Sequence, residues 1–128
     1  MATVTREWNK LPHQKSYSIK QADGISEAWA LDIKAESATA YTDLTLVGTT
    51  IKLYVKKGGT TVIAGTAIVA DDAAAGQFTL AISGATTETW IGNYQYELQV
   101  TFPVGHTNFP AGTVKTILEG AITVRADI

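Results

Sequence analysis

Trp90-Ile91-Gly92-Asn93-Tyr94-Gln95-Tyr96-Glu97-Leu98-Gln99-Val100-Thr101-Phe102 is the stretch that decides the fold. From Asn93 onward its period is two. Tyr94, Tyr96, Leu98, Val100 and Phe102 share one face, and Asn93, Gln95, Glu97, Gln99 and Thr101 share the other. Successive side chains of a strand point to opposite sides, so this is a strand with one buried and one wetted face. Gly92, just ahead of it, supplies a turn.

The same period recurs on both sides of this strand. Ile51, Leu53 and Val55 alternate with Lys52, Tyr54 and Lys56, and Lys57-Gly58-Gly59-Thr60 follows. Adjacent glycines take the positive φ of a tight hairpin turn, so a return strand is expected over Thr61 to Ala70. Asp71-Asp72-Ala73-Ala74-Ala75-Gly76 is a turn, after which Phe78, Leu80 and Ile82 alternate with Gln77, Thr79 and Ala81. Earlier, Ile25, Glu27, Trp29, Leu31 and Ile33 fall on one face of a strand that is apolar except for Glu27. Residues 103–112 form a loop longer than a tight hairpin needs. The last strand is expected to place Val114, Thr116, Leu118, Ile122 and Val124 on one face. No amphipathic helix is apparent. About seven strands joined mostly by short turns predict an all-β, mostly antiparallel sandwich.

The chain has 128 residues and a net charge of −2, with no cysteine. The length suits one domain with a core large enough to fold without a disulfide or metal. Zero Cys excludes thiol catalysis and Cys-based zinc sites. The near-neutral charge gives no basic footprint for nucleic acid. No apolar run approaches a membrane span, and the N-terminus is polar, so no membrane partner or signal peptide is expected. The charge is uneven, however. Arg6, Lys10, Lys15 and Lys20 against Glu7 give residues 1–20 a balance of +3, leaving −5 for the rest. Residues 1–14 read as an extended arm and 15–20 as a first strand, with the sandwich over residues 21–128.

The Trp90 to Tyr96 stretch also has the layout of a tyrosine corner, in which a Tyr near the start of the penultimate strand bonds back to the preceding corner. Tyr94 takes that place, Gly92 the turn and Tyr96 the core position two residues on. Trp29 is the candidate buried core tryptophan. These features predict an immunoglobulin-like β-sandwich. Three stretches carry a closer resemblance: Asp72-Ala73-Ala74-Ala75-Gly76-Gln77-Phe78-Thr79-Leu80, then Trp90 to Gln99, then Gly112-Thr113-Val114-Lys115-Thr116-Ile117-Leu118-Glu119-Gly120-Ala121-Ile122-Thr123-Val124. This succession resembles the small immunoglobulin-like domains of tailed-bacteriophage virion proteins, such as the N-terminal domains of baseplate upper proteins and stand-alone accessory modules. The resemblance covers residues 25–128. It implies a non-enzymatic structural role as a baseplate or tail adaptor or a capsid decoration component, located in the virion. It also implies other virion proteins as partners, with homo-oligomerisation in the particle. It carries no catalytic residues.

The candidate partner-binding residues are Arg6, Trp8, Lys10 and Tyr17 in the arm, and His106 and Phe109 in the loop. Trp8 would be the apolar anchor and the cations would steer it. Phe109, between Asn108 and Pro110, is expected to be exposed. The histidines, His13 and His106, are expected in solvent rather than at a metal, and no cofactor is expected. Asp71 and Asp72 suit turn bonding better than calcium. Glu27 marks either the exposed end of its strand or a pair with a lysine. The alternative function is a module for cell-surface glycans, using the loop aromatics Trp90 and Phe109, although Trp90 is expected to pack beneath the corner. A basic-aromatic patch at Lys52, Tyr54, Lys56 and Lys57 reads as a solvated strand face, with sugar or anion binding as its second reading.

Overall fold

The computed structural model describes residues 2–7, 11–34, 42–106, 109 and 112–126. Among these it has ten strands and one short helix. In chain order they are β1 (Ala2–Glu7), β2 (His13–Gln14), β3 (Tyr17–Lys20), β4 (Ile25–Lys34), β5 (Thr42–Asp43), β6 (Thr50–Lys57), β7 (Thr60–Ile68), β8 (Gln77–Ile82), α1 (Gly84–Thr87), β9 (Gly92–Thr101) and β10 (Val114–Arg125). The chain is an all-β sandwich of two sheets. In the first, β4 is central: β1 lies along one edge, and β8 and β5 share the other. In the second the order is β7-β6-β9-β10, and β2 and β3 follow one another along the far edge of β10.

The alternating faces read from the sequence become the core. Leu31, Phe78 and Leu80 of the first sheet pack with Leu53, Leu98 and Ile122 of the second in one apolar cluster. Tyr94, Tyr96, Val100 and Phe102 are buried with them, and so is Trp29. The polar partners Gln95 and Thr101 of β9 are exposed.

As expected, most strand pairs are antiparallel; the exceptions are β1, parallel to β4, and β2 and β3, parallel to β10. Two expectations need correction. The strands number more than the seven expected, because the N-terminal segment is itself built into both sheets. Residues 2–7 are paired along β4 from Ala2↔Trp29 to Glu7↔Lys34, and the Val4 side chain is fully buried. They are a strand of the sandwich, not an arm beside it. The second correction concerns β10. Its pairing with β9 slips between Thr116 and Leu118, a bulge that opposes one extra residue to the partner strand. Ile117 and Leu118 are consequently both buried, while Val114 is exposed on the strand before the bulge. A strict period of two cannot anticipate such an inserted residue.

Candidate functional site

The corner before β9 is held through the backbone of Ile91. Its N–H donates to Tyr94 Oη at 3.0 Å, and its carbonyl accepts from Lys57 Nζ at 2.6 Å. Lys57 also sits 5.3 Å from the centre of the Tyr94 ring, a cation over a π face. Trp90 is buried and stacks on Tyr94, with ring centres 4.6 Å apart and planes 20° from parallel. Gly92 has φ 95°, which lets the chain turn into β9 at low cost. The segment before the corner is anchored in turn. Ser83 caps α1 by accepting from Thr86 N–H, and the buried Thr87 donates to the Asp23 carbonyl. Lys57, read as part of a solvated patch, is thus engaged in the corner. Trp90 packs beneath the corner as expected, inside the molecule, and so is not a glycan platform.

The N-terminal candidates divide. Trp8 and Lys10 lie outside the described residues, as does the Arg6 side chain; the Arg6 backbone pairs with Ile33 in the first sheet. Tyr17 is half-buried, and its hydroxyl donates to Glu27 Oε1 at 2.7 Å, tying β3 of one sheet to β4 of the other. The Tyr17 ring lies 5.8 Å from that of Tyr96, whose hydroxyl donates to the Lys15 carbonyl at 2.6 Å. Burial, reinforced by the bond to Glu27, pushes the Tyr17 hydroxyl pKa well above the usual phenol value. Burial also pushes Tyr96 up, with the Glu27 and Glu119 charges adding to it. Tyr17 therefore fastens the two sheets, and its hydroxyl is used within the molecule. Glu27 has neither of the expected surroundings: its partner is a tyrosine. His13 stands edge-on to Trp29, ring centres 5.5 Å apart.

The loop after β9 also differs from expectation. His106 is buried, and Nε2 bonds to the Thr45 carbonyl at 2.7 Å while Nδ1 accepts from Phe109 N–H at 3.3 Å. Those two bonds together place the ring proton on Nε2. Phe109 is only 5% exposed and packs 4.5 Å from Phe102, so it is not the surface contact it was expected to be. An aromatic between two turn residues found the end of the core instead of solvent. Among the loop's described residues, Val104 is an exposed large apolar side chain, 85% exposed, at a position sequence reading did not single out. Gly48, next to the exposed Val47, packs close to Pro103. Val104 and Val47 are thereby brought to the same end of the sandwich. Asp71 and Asp72 do serve the turn: Asp71 accepts from the Thr79 hydroxyl at 2.6 Å and Asp72 from Ala75 N–H at 3.3 Å.

On the outer face of the second sheet a shallow cavity of about 270 Å³ is lined by Gln14, Tyr54, Lys56, Gln95, Glu97 and Glu119. Cross-strand pairing puts Tyr54 beside Glu97 and Glu97 beside Glu119. Like charges side by side on a sheet are unfavourable unless neighbouring donors compensate. Thr116 Oγ1 and Gln99 Nε2 donate to Glu97, and Gln14 Nε2 donates to Glu119 at 2.7 Å. The Tyr54 ring lies against the backbone of Gly65, where a Cβ would approach it to 3.2 Å.

Fold and surface together define a β-sandwich with a braced corner and a polar groove on one sheet. No protein-family model matches the chain, and no curated protein does. Solved structures do match. One of them is the N-terminal domain of phage TP901-1 ORF48, which superposes with a TM-score of 0.55 over 97% of this chain and 97% of that one. The two sequences are 12% identical, so what they share is the fold.

Proposed function

We propose that the protein is a non-enzymatic structural component of a bacteriophage virion, a baseplate or tail adaptor or a capsid decoration protein, that works through contacts between subunits. The observation that carries this reading is the fold it shares, from end to end, with a domain of a phage protein. The sequence stretches at 72–80, 90–99 and 112–124, which resemble immunoglobulin-like virion domains, support the same reading. So does the tyrosine corner built by Tyr94 and Ile91. The test is mass spectrometry of gradient-purified particles from a phage that carries the gene. The chain should co-purify with the capsid or tail at a fixed ratio to a major structural protein. Presence in the infected-cell lysate and absence from particles would refute it.

A second reading, glycan binding, is favoured by the groove at Tyr54 alone. An aromatic face there stands among planar amide and carboxylate groups that match sugar hydroxyls. Loop aromatics no longer support it, since Trp90 and Phe109 are buried. Specific binding on a glycan array that Tyr54→Ala abolishes would promote this reading.

A further inference from the structure

We infer that the groove on the outer face of the second sheet takes one uncharged sugar ring, a neutral hexopyranose, and turns acidic sugars away. The site is that of the glycan reading and rests on it; what is added is the class of sugar. Two rows of side chains shape the groove. Tyr54, Glu97 and Glu119 are paired across β6, β9 and β10, and Lys56 and Gln95 are paired across β6 and β9 in the next outward-facing row. The aromatic member is set in place by a break in the neighbouring strand. β7 slips against β6, so that Gly65 stands unmatched between Ala64, paired with Tyr54, and Thr66, paired with Leu53. Such a bulge bends its strand and re-aims the side chains beside it. Gly65 takes φ 92° and leaves the Tyr54 ring room that a Cβ would occupy. A ring held this way offers flat contact area to the C–H face of a pyranose at little cost in conformational entropy.

The carboxylates are held as well. A solvated sheet face gains nothing from two carboxylates side by side, because like charges there are destabilising. Both are nonetheless present and both are steered: Thr116 and Gln99 donate to Oε1 of Glu97, and Gln14 donates to Oε1 of Glu119. Among the described residues, no donor falls on Oε2 of either glutamate, and the side chains of Tyr54, Lys56 and Gln95 make no hydrogen bond. The groove thus sets ready acceptors beside ready donors. Hydroxyl groups answer both, since each donates once and accepts twice, whereas an ammonium or a phosphate answers one kind only. The cavity of about 270 Å³ lies at the small end of ligand sites, roughly 300–1,000 Å³, and suits one ring rather than a chain. Two carboxylates against one ammonium leave the lining negative, which repels a uronate or a sialate.

The test is saturation-transfer NMR on the full chain. Methyl α-D-glucopyranoside, methyl α-D-galactopyranoside and methyl α-D-mannopyranoside are the neutral probes, and D-glucuronate is the acidic one. At least one neutral glycoside should bind about tenfold more tightly than glucuronate, a difference of about 1.4 kcal/mol. Tyr54→Ala should abolish the signal and Tyr54→Trp should keep it, with circular dichroism unchanged. Glu97→Gln combined with Glu119→Gln should narrow the gap between neutral and acidic probes, and this surface pair tests the charge argument even where Tyr54→Ala folds poorly. Glucuronate bound as tightly as the glycosides would overturn the inference, and so would a signal that Tyr54→Ala leaves intact. In both cases a sugar is still bound, so the glycan reading outlives the inference. No saturation of any probe would also overturn it, and a glycan array then separates the two: hits that depend on Tyr54 keep the glycan reading, and an empty array ends both.

Discussion

Gly120 shows how much one residue can hold. Its backbone is not left-handed; what it provides is space. A Cβ at this position would fall well inside van der Waals contact of the Lys15 carbonyl oxygen. That carbonyl also receives the Tyr96 hydroxyl, and Lys15 N–H donates to the Glu119 carbonyl at 2.9 Å. Gly120→Ala must therefore push the segment before β3 off β10, at a cost of about 2–3 kcal/mol typical of forced overpacking, measurable by urea unfolding. Tyr94→Phe is the milder test of the corner. It keeps the stack on Trp90 and deprives Ile91 N–H of its acceptor, for an expected loss of about 1 kcal/mol. The tyrosines at the seam between sheets set a pH dependence. Tyr17 and Tyr96 are both raised in the folded chain, whereas in the unfolded chain they ionise near pH 10. Above that pH the folded state holds protons that the unfolded state has lost, so stability is complete below about pH 10 and falls as pH rises further. Melting temperature followed from neutral to alkaline pH should show the decline. A Tyr17→Phe, Tyr96→Phe double variant should flatten it.

At the scale of elements, legibility followed alternation. β6, β8 and β9 were readable because each has a strict period of two and a turn signal at its end. Gly58 and Gly76 both have positive φ at those turns, as a hairpin and a left-handed turn residue demand. β10 was readable in extent but not in facing, since one extra residue at the bulge reverses every side chain before it. β1 and β2 were the least legible, and β3 was expected as a strand over 15–20 but without its partner. They are short, and their pairings are with strands far along the chain, His13 with Leu118 and Tyr17 with Ile122. Parallel partners of that kind leave no hairpin signature in the local sequence. The candidate site suffered for the same reason. His106 and Phe109 read as exposed because their loop is rich in Pro and Gly, yet both close the end of the core against Phe102. The status of β1 as a structural strand can be checked through Val4. Val4→Ala removes fully buried methyl groups and should cost about 2 kcal/mol, whereas a residue in a detached arm would cost nothing.

At the scale of the whole molecule, the N-terminal segment acts as a clasp. β1 extends the first sheet, and within about a dozen residues the same segment supplies β2 and β3 to the second. Tyr17 then returns a hydrogen bond across the gap to Glu27. In a chain without disulfides, this passage from sheet to sheet is one of the ties that make the layers a single cooperative unit. It also changes what a truncation can reveal. Deleting residues 1–14 would leave one edge of β4 unpaired from Trp29 to Lys34 and remove Val4 from the core. The truncated protein should unfold at a markedly lower urea concentration than the full chain, with amide exchange faster along β4 than along β9. A truncated protein with the full chain's urea midpoint would show that the clasp contributes nothing. If the midpoint falls as expected, failure of the truncated protein to enter particles would report lost stability as readily as a lost contact. Partner contacts at this end are then better probed by replacing an exposed cation such as Lys20, which leaves the pairing of the segment with β10 in place.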